Sequence, residues 1–242
     1  MGPADMCTAT PSDAAVRMPC AICALGPLCM PEQSGESAPA VRLTRRKVRR
    51  GEVLFRRGQS FRAFFAPRTG YFKTFLSDEH GHAQVLDFQM AGDLLGLDGV
   101  VDGVHHCEAV ALGDAEVCVV EFNDALELCS NAGGVAREFQ RQLAQAVARH
   151  QRTALHLRAI PSADHRLARF LVDWTGRLRR LGLPGDELLL RMTREELGSL
   201  LGLTLETVSR ALTRLKRLNV LNVSNRYIEI LDVPELRKLA GT

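Results

Sequence analysis

From Val41 to Phe122 the chain runs in short apolar stretches broken by glycine, as in "GEVLFRRGQSF" and "APRTGYFKTFLSDEHGHAQVLDFQMAGDLLGL". Turn signals recur about every ten residues, at Gly51, Gly58, Gly70, Gly81 and Gly92, which predicts a small antiparallel barrel or sandwich. Within it "AEVCVVEF" is an alternating β-branched run and reads as a strand carrying Cys118. The basic run "RLTRRKVRR" (42–50) suits a nucleic-acid patch or, as the plainer reading, the solvated face of a first strand.

At residue 133 the period changes. "GGVAREFQRQLAQAVARHQRTALHLRAI" (133–160) is helical and runs unbroken to Pro161, long for a globular domain and suggestive of a dimer seam. One register puts Phe139, Leu143, Ala146, His150, Thr153, Leu157 and Ile160 on a 4,3 repeat. A stripe so poor in Leu and Ile should associate only marginally, as a switchable dimer requires; a helix packed on its own barrel is the alternative, and the sequence leaves both open. From Ala163 the chain is helical and then short-stranded.

The segment "MTREELGSLLGLTLETVSRALTRLKRL" (192–218) reads as helix, tight turn, helix. Thr193 and Glu196 have capping-box spacing, Gly202 supplies the turn and Thr204 is a second N-cap. Val208, Ala211, Leu212 and Leu215 face inward; Glu206, Ser209, Arg210, Thr213, Arg214 and Arg217 project from the other side. On that face Glu206 suits a cytosine amine, Arg210 a bidentate grip on guanine, and Ser209 a base or phosphate. Between Thr204 and Arg226 five Lys/Arg stand against one acid, net +4. The stretch "LNVLNVSNRYIEIL" follows as a hairpin wing turning at Ser224 and Asn225. A solvated amphipathic helix with a Glu206–Arg210 pair is the bland alternative.

Composition changes this picture only locally. The 242 residues carry a net charge of +3, too small to inform globally. Met1 to Pro19 holds Asp5 and Asp13, no basic start and no apolar run, so no export signal is read, and no stretch suits a membrane span. A cytoplasmic chain with reduced thiols is expected. Residues 1–40 are proline-rich and without sustained period. They nevertheless hold "PCAICALGPLCM", in which Cys20, Cys23 and Cys29 read C-x2-C-x5-C, with Gly26 and Pro27 bending the longer arm.

Three thiols crowded into a leader with no core to fill point to a thiolate-bound metal centre. Tetrahedral zinc sites usually pair two C-x2-C knuckles and no second one exists here, whereas iron–sulfur clusters accept uneven spacing plus one remote cysteine. The fourth-ligand candidates are Cys118, on a rigid strand, then Cys107, with Cys7 and Cys129 behind them. The competing reading makes Cys118 and Cys129 small buried hydrophobes.

Taken together, "CAICALGPLC", "GEVLFRRGQSF", "GYFKTF", "MAGDLLGLDGV" and "LGLTLETVSR" resemble the Crp/Fnr superfamily of transcription regulators, and within it the FNR branch of oxygen sensors. The resemblance covers nearly the whole chain. It implies an α+β protein with an N-terminal β-roll sensor domain like that of cyclic-nucleotide-binding proteins, a long dimerisation helix and a C-terminal winged helix-turn-helix. The expected boundaries are 1–40 for the cluster-binding leader, 41–132 for the β-roll, 133–161 for the helix and 162–242 for the DNA-binding domain. The family further implies a [4Fe-4S] cluster on Cys20, Cys23, Cys29 and Cys118, shielded by Ala24 and Leu28. It implies a homodimer through Leu143, Ala144, Ala148, Gln151 and Leu155, formed without oxygen, on double-stranded DNA with TTGAT-like half-sites. Thr204, Glu206, Thr207, Ser209, Arg210, Thr213 and Arg214 become the DNA-contacting set, and the hairpin tip Ser77 to Gln84 a contact for RNA polymerase.

Two departures stand out: Gln151 replaces the acidic residue that opposes association in FNR, and Ala24 replaces a serine after the second cysteine. The cyclic-nucleotide branch resembles a Gly-Glu turn followed by Arg with Ser or Thr; here "GDLLGLDGVVDGVHHCEAVAL" has none of those three, so no cyclic nucleotide is expected. A regulator is expected, not an enzyme and not a membrane protein. The rival functions are a constitutive or zinc-containing regulator and, more remotely, a thiol or iron–sulfur redox carrier built on Cys20 and Cys23.

Overall fold

The computed structural model describes residues 23–29, 43–77, 83–159 and 162–241, with the side chains of Pro27 and residues 152–159 left out of the description. Cys7, Cys20, the hairpin tip 78–82 and the side chains of Thr153, Leu155 and Leu157 therefore lie outside the described residues, as does Ile160.

A short helical turn, α1 (Gly26–Cys29), precedes seven strands: β1 (Thr44–Val48), β2 (Val53–Phe55), β3 (Ala63–Thr69), β4 (Tyr71–Ser77), β5 (Ala83–Met90), β6 (Glu108–Ala111) and β7 (Ala115–Glu121). They form two antiparallel sheets, β1-β7-β3 and β2-β6-β4-β5. Gly51, Gly58, Gly70 and Gly92, four of the expected turn glycines, have positive φ. Phe55, Phe72, Ala109, Ala111 and Val117 fill the space between the sheets. In β1, Thr44 to Lys47 are all exposed, so the basic run is solvated on this chain.

Strand β7 decides where Cys118 goes. Side chains alternate across a strand, so Ala115, Val117 and Val119 belong to the inter-sheet core while Cys118 and Val120 face the other way. That outer face is covered by α1, by α2 (Phe122–Asn131) and by the start of α3 (Gly133–Ala159). The helix α2, within the expected β-roll span, was not distinguished by the sequence pattern.

Helix α3 follows its predicted span, and its facing decides between the two alternatives left open for the 4,3 stripe. Phe139 and Ala146 are buried and Leu143 half-buried against the protein's own core, so the 4,3 stripe through them is a packing face over this stretch. The opposite stripe is solvent-facing: Ala144, Val147 at 51% exposure and Gln151, with Ala148 half-buried beside them.

The rest comprises α4 (Ala163–Arg180), β8 (Glu187–Leu189), α5 (Arg194–Leu201), α6 (Leu205–Arg217), β9 (Leu221–Ser224), β10 (Tyr227–Ile230) and α7 (Val233–Leu239). A core of Leu167, Leu171, Trp174, Leu197, Val208, Leu212 and Leu215 is shared with Val85, Phe88 and Met90 of β5. The two halves are thus packed together. Strand β5 is an edge strand, whose open main-chain groups α5 satisfies: Val85 N donates to Ser199 Oγ at 2.8 Å, which in turn donates to Ala83 O at 3.1 Å. Lys73 Nζ adds a 2.7 Å bond to Glu196.

A buried charge cluster crosses the same junction. Asp93, just after β5, accepts from Arg149 of α3, from Arg177 of α4 and, at 2.8 Å, supplies the acceptor for Met90 N. Asp87 stands 3.7 Å from Arg149 and 3.5 Å from His150. No helix among the described residues is long and apolar enough to cross a membrane.

Candidate DNA-reading face and cysteine centre

The helix-turn-helix is built from local rules. Thr193 Oγ1 accepts from Glu196 N at 3.1 Å while Glu196 Oε2 accepts from Thr193 N at 2.7 Å, a complete capping box on α5. Burial pushes the Glu196 carboxyl up, and the hydrogen bonds from Lys73 and the Thr193 amide more than reverse this, leaving its pKa below the ordinary value. Gly202 ends α5 in the left-handed region at φ 63°. A second glycine, not singled out by the sequence pattern, is equally necessary: a Cβ on Gly198 would lie 2.6 Å from Leu203 O, so only glycine lets the turn fold back on the helix. Thr204 caps α6 by accepting from Thr207 N at 3.2 Å.

Val208, Ala211, Leu212 and Leu215 are buried, which leaves the predicted polar side of α6 facing out. Glu206, Arg210, Thr213 and Arg214 are exposed, Thr207 and Ser209 half-buried. Glu206 is held ionised below the usual carboxylate range by its own backbone amide at the helix start, by Thr204 and by Arg210, so it is a ready acceptor. Arg214 is engaged elsewhere: its Nε and Nη2 donate to Asp164 of α4 at 2.7 and 2.6 Å. Thr213 Oγ1 donates to Ser209 O at 2.9 Å.

Arg194, which the sequence reading passed over, donates to Ser209 Oγ at 3.2 Å and reaches Asn225 O at 3.5 Å, bridging α6 to the wing. Its only sequence signal is its place directly after an N-cap. The wing itself turns one residue later than expected, because Tyr227 pairs with Ser224 and leaves Asn225 and Arg226 as the loop. Asn225 takes φ 57°, a conformation asparagine tolerates and a two-residue hairpin needs. A third strand, β8, pairs with β10 behind the wing.

The second site is the cysteine turn. Gly26 N donates to Cys23 O at 2.8 Å and Cys29 N to Leu25 O at 3.0 Å, curling the segment so that Ala24, Leu25 and Leu28 are buried. Cys23, half-buried Cys29 and Cys118 belong to one apolar cluster with Phe64, Val135 and Phe139, and Cys129 packs at its edge. Cys107 is in a different cluster, between the sheets. Its Sγ donates to Asp98 Oδ2 at 3.3 Å, and burial together with that carboxylate drives its thiol far above the ordinary range. Among the described residues no three His, Cys, Asp or Glu side chains are grouped to hold a metal, and Cys20 lies outside them.

The segment between β5 and β6 is organised by the chain's own acids. Asp98 Oδ2 accepts from His106 N at 2.8 Å and from Cys107 N at 3.2 Å, while Asp93 is taken by Arg149 and Arg177.

A β-roll joined by a long helix to a winged helix-turn-helix with a basic outer face defines a DNA-binding transcription regulator. Residues 165–239 match the Crp-like helix-turn-helix domain and residues 45–132 the cyclic nucleotide-binding domain. The chain is 34% identical over 226 residues to the transcriptional regulatory protein btr of Bordetella pertussis, covering 92% of this chain and 93% of that one. It is 32% identical over 227 residues to the anaerobic regulatory protein of Pasteurella multocida, covering 92% and 83%. Among solved structures, FixK2 from Bradyrhizobium japonicum superposes with a TM-score of 0.73 at 28% identity, covering 82% of this chain and 98% of that one. The chain belongs to the Crp/Fnr family of transcription regulators.

Proposed function

We propose that the protein is a cytoplasmic, oxygen-responsive regulator in which Cys20, Cys23, Cys29 and Cys118 hold a [4Fe-4S] cluster that controls homodimerisation and binding to a two-fold site with TTGAT-like half-sites. The observation that carries this reading is the placement of Cys23, Cys29 and Cys118 in one apolar cluster that also contains Val135 and Phe139 of the long helix. A relative named an anaerobic regulatory protein supports the oxygen response. The described donors suit the group: Cys23, Cys29 and Cys118 lie in one apolar shell, and the competing Cys107 lies in a separate cluster between the sheets. When bound, the cluster supplies a centre that oxygen can destroy.

The chain's own residues translate ligation into association. A four-residue helix such as α1 has no stability of its own, and ligated sulfurs at both of its ends would fix the buried Leu25 and Leu28 in place. While they hold, α1 packs on the N-terminal part of α3, with Ala24 and Leu28 excluding water from the thiolates. The outer stripe of Ala144, Val147 and Gln151, flanked by Leu143 and Ala148, is then presented to a second copy, with Leu155 expected to continue it. Its small side chains make that seam weak alone and sensitive to how α3 is seated. Only the dimer sets two α6 helices about one DNA turn apart. The polymerase contact is assigned to the hairpin Ser77 to Gln84, and no cyclic nucleotide is required, since Asp93 is already engaged by Arg177 of α4 and Asp98 by the His106 amide.

The test is anaerobic purification with iron and sulfide analysis, visible absorption and sedimentation, on the wild type and on Cys118→Ala and Cys107→Ala. Iron, sulfide and a bleachable visible band are expected in wild type and Cys107→Ala and lost in Cys118→Ala, together with the dimer. Colourless protein containing zinc, or a dimer indifferent to removal of the metal, would overturn the reading.

A further inference from the structure

On the outer face of the sheet β1-β7-β3, Cys118 has charged neighbours. Arg45 of β1 and Ala66 of β3 stand directly opposite it in the ladder, and Lys47 stands opposite Glu116, two residues back along β7 on the same face. The register slips between Pro67 and Thr69, and the extra residue there is Arg68. A bulge of this kind re-aims a side chain. Here it brings the Arg68 guanidinium to 3.4 Å from the Glu116 carboxylate, on the Cys118 side of the sheet. Diagonal neighbours on one face lie roughly 7–8 Å apart, within reach of a long side chain.

The Arg68 side chain is 8% exposed, yet its Nε and Nη1 are buried with no hydrogen-bond partner, so Glu116 supplies charge without accepting from either nitrogen. Stranding guanidinium donors away from water is costly, and an anion is what relieves it. Around Cys118 the cations Arg45, Lys47 and Arg68 face one carboxylate, Glu116, which leaves 3 − 1 = +2. We propose that Arg68 is the built-in counter-charge of the cysteine centre, its buried guanidinium donating to the sulfurs of the cluster held beside Cys118. The proposal rests on the iron–sulfur reading and adds what retains the cluster once the thiolates have bound it. A [4Fe-4S] group on thiolates is a net anion, and nearby charge and hydrogen bonds to its sulfurs govern how firmly it is kept and how readily it accepts an electron. Arginine suits the task, being always charged and presenting its donors in a fixed fork.

Anaerobically purified wild type, Arg68→Met and Arg68→Lys, each with its cluster and after its removal, test the assignment. Iron and sulfide analysis comes first: wild type lacking both refutes the iron–sulfur reading itself, and this proposal with it. With the cluster present in wild type, Arg68→Met should lose it to a chelator about tenfold faster, the usual cost of removing an outer partner from a metal site. Its reduction potential should move to more negative values, because a cation that favours the added electron is gone, and Arg68→Lys should recover most of the shift. The iron-free Arg68→Met protein should unfold no lower than iron-free wild type, since the stranded donors are gone and Glu116, 21% exposed, is left to water. A variant that assembles no cluster yet keeps that iron-free midpoint supports the proposal equally. It is overturned if Arg68→Met keeps a cluster of wild-type potential and release rate. It is also overturned if the variant's midpoint falls by the same amount with and without the cluster, which would assign Arg68 to its Glu116 pair and the sheet alone.

Discussion

Replacing Asp93 by asparagine should destabilise the protein by about 3 kcal/mol, because it deletes the carboxylate shared by two largely buried guanidiniums. The Asp93 side chain is 7% exposed, Arg177 12% and Arg149 22%, so water compensates little. Burial works against the charge on Arg149, and Asp93 and then Asp87 outweigh it, raising its pKa. Breaking one partner out of such a cluster costs roughly 3–5 kcal/mol, and Asp87 at 3.7 Å offers Arg149 a partial substitute, which places the loss at the low end. For a chain of this size that is a fall in midpoint of roughly 6–12 °C. Trp174 is the single tryptophan and lies 4.9 Å from the Arg177 guanidinium, so urea unfolding followed by its fluorescence reads the junction directly. A loss below about 1 kcal/mol would refute the reasoning, since it would mean that these charges are solvated and that the junction does not hinge on them. The double variant Asp93→Asn with Arg177→Met should recover part of the loss, as removal of both partners leaves fewer stranded charges.

Three further outcomes are expected. Arg210→Ala should weaken specific DNA binding by about 1–3 kcal/mol and relax selectivity at one base pair, whereas Arg214→Ala, which first loses Asp164, should alter thermal stability with a smaller change in selectivity; fluorescence anisotropy on base-substituted operators compares them. Gly198→Val should abolish DNA binding and disorder the turn, visible as rapid amide exchange at Leu203, because the Leu203 carbonyl occupies the space a Cβ needs. The depressed pKa of Glu196 means that its stabilisation is full above the ordinary carboxylate value and lost as pH falls through the folded value; Lys73→Met should therefore flatten the acid side of the stability profile, by about 1 kcal/mol at neutral pH.

Where a feature depends on neighbours a few residues apart, the chain announces it. The capping box of Thr193 and Glu196, the N-cap at Thr204 and the inward set Val208, Ala211, Leu212 and Leu215 are all encoded within one or two helical turns, and all are present. The strand around Cys118 and the extent of α3 follow equally from period alone. The C-x2-C-x5-C spacing brought the cysteine turn to notice, although Cys20 lies outside the described residues.

What period leaves open is which surface a face meets, because the same alternation serves any neighbour. Only the packed structure seats Cys118 with Cys23 and Cys29 and buries Cys107 between the sheets beside Asp98. Only packing turns Phe139 and Ala146 inward, leaving Ala144 and Val147 outside, and only it joins Arg214 to Asp164 and Arg149 to Asp93 across 50 and 56 residues of chain. Sequence by itself determined the strand around Cys118, the long helix and the helix-turn-helix with its caps, since those rest on short-range sterics and hydrogen bonding. The tertiary structure decided which thiols lie in one apolar cluster and which charges neutralise one another, since those depend on contacts between segments that no local pattern records.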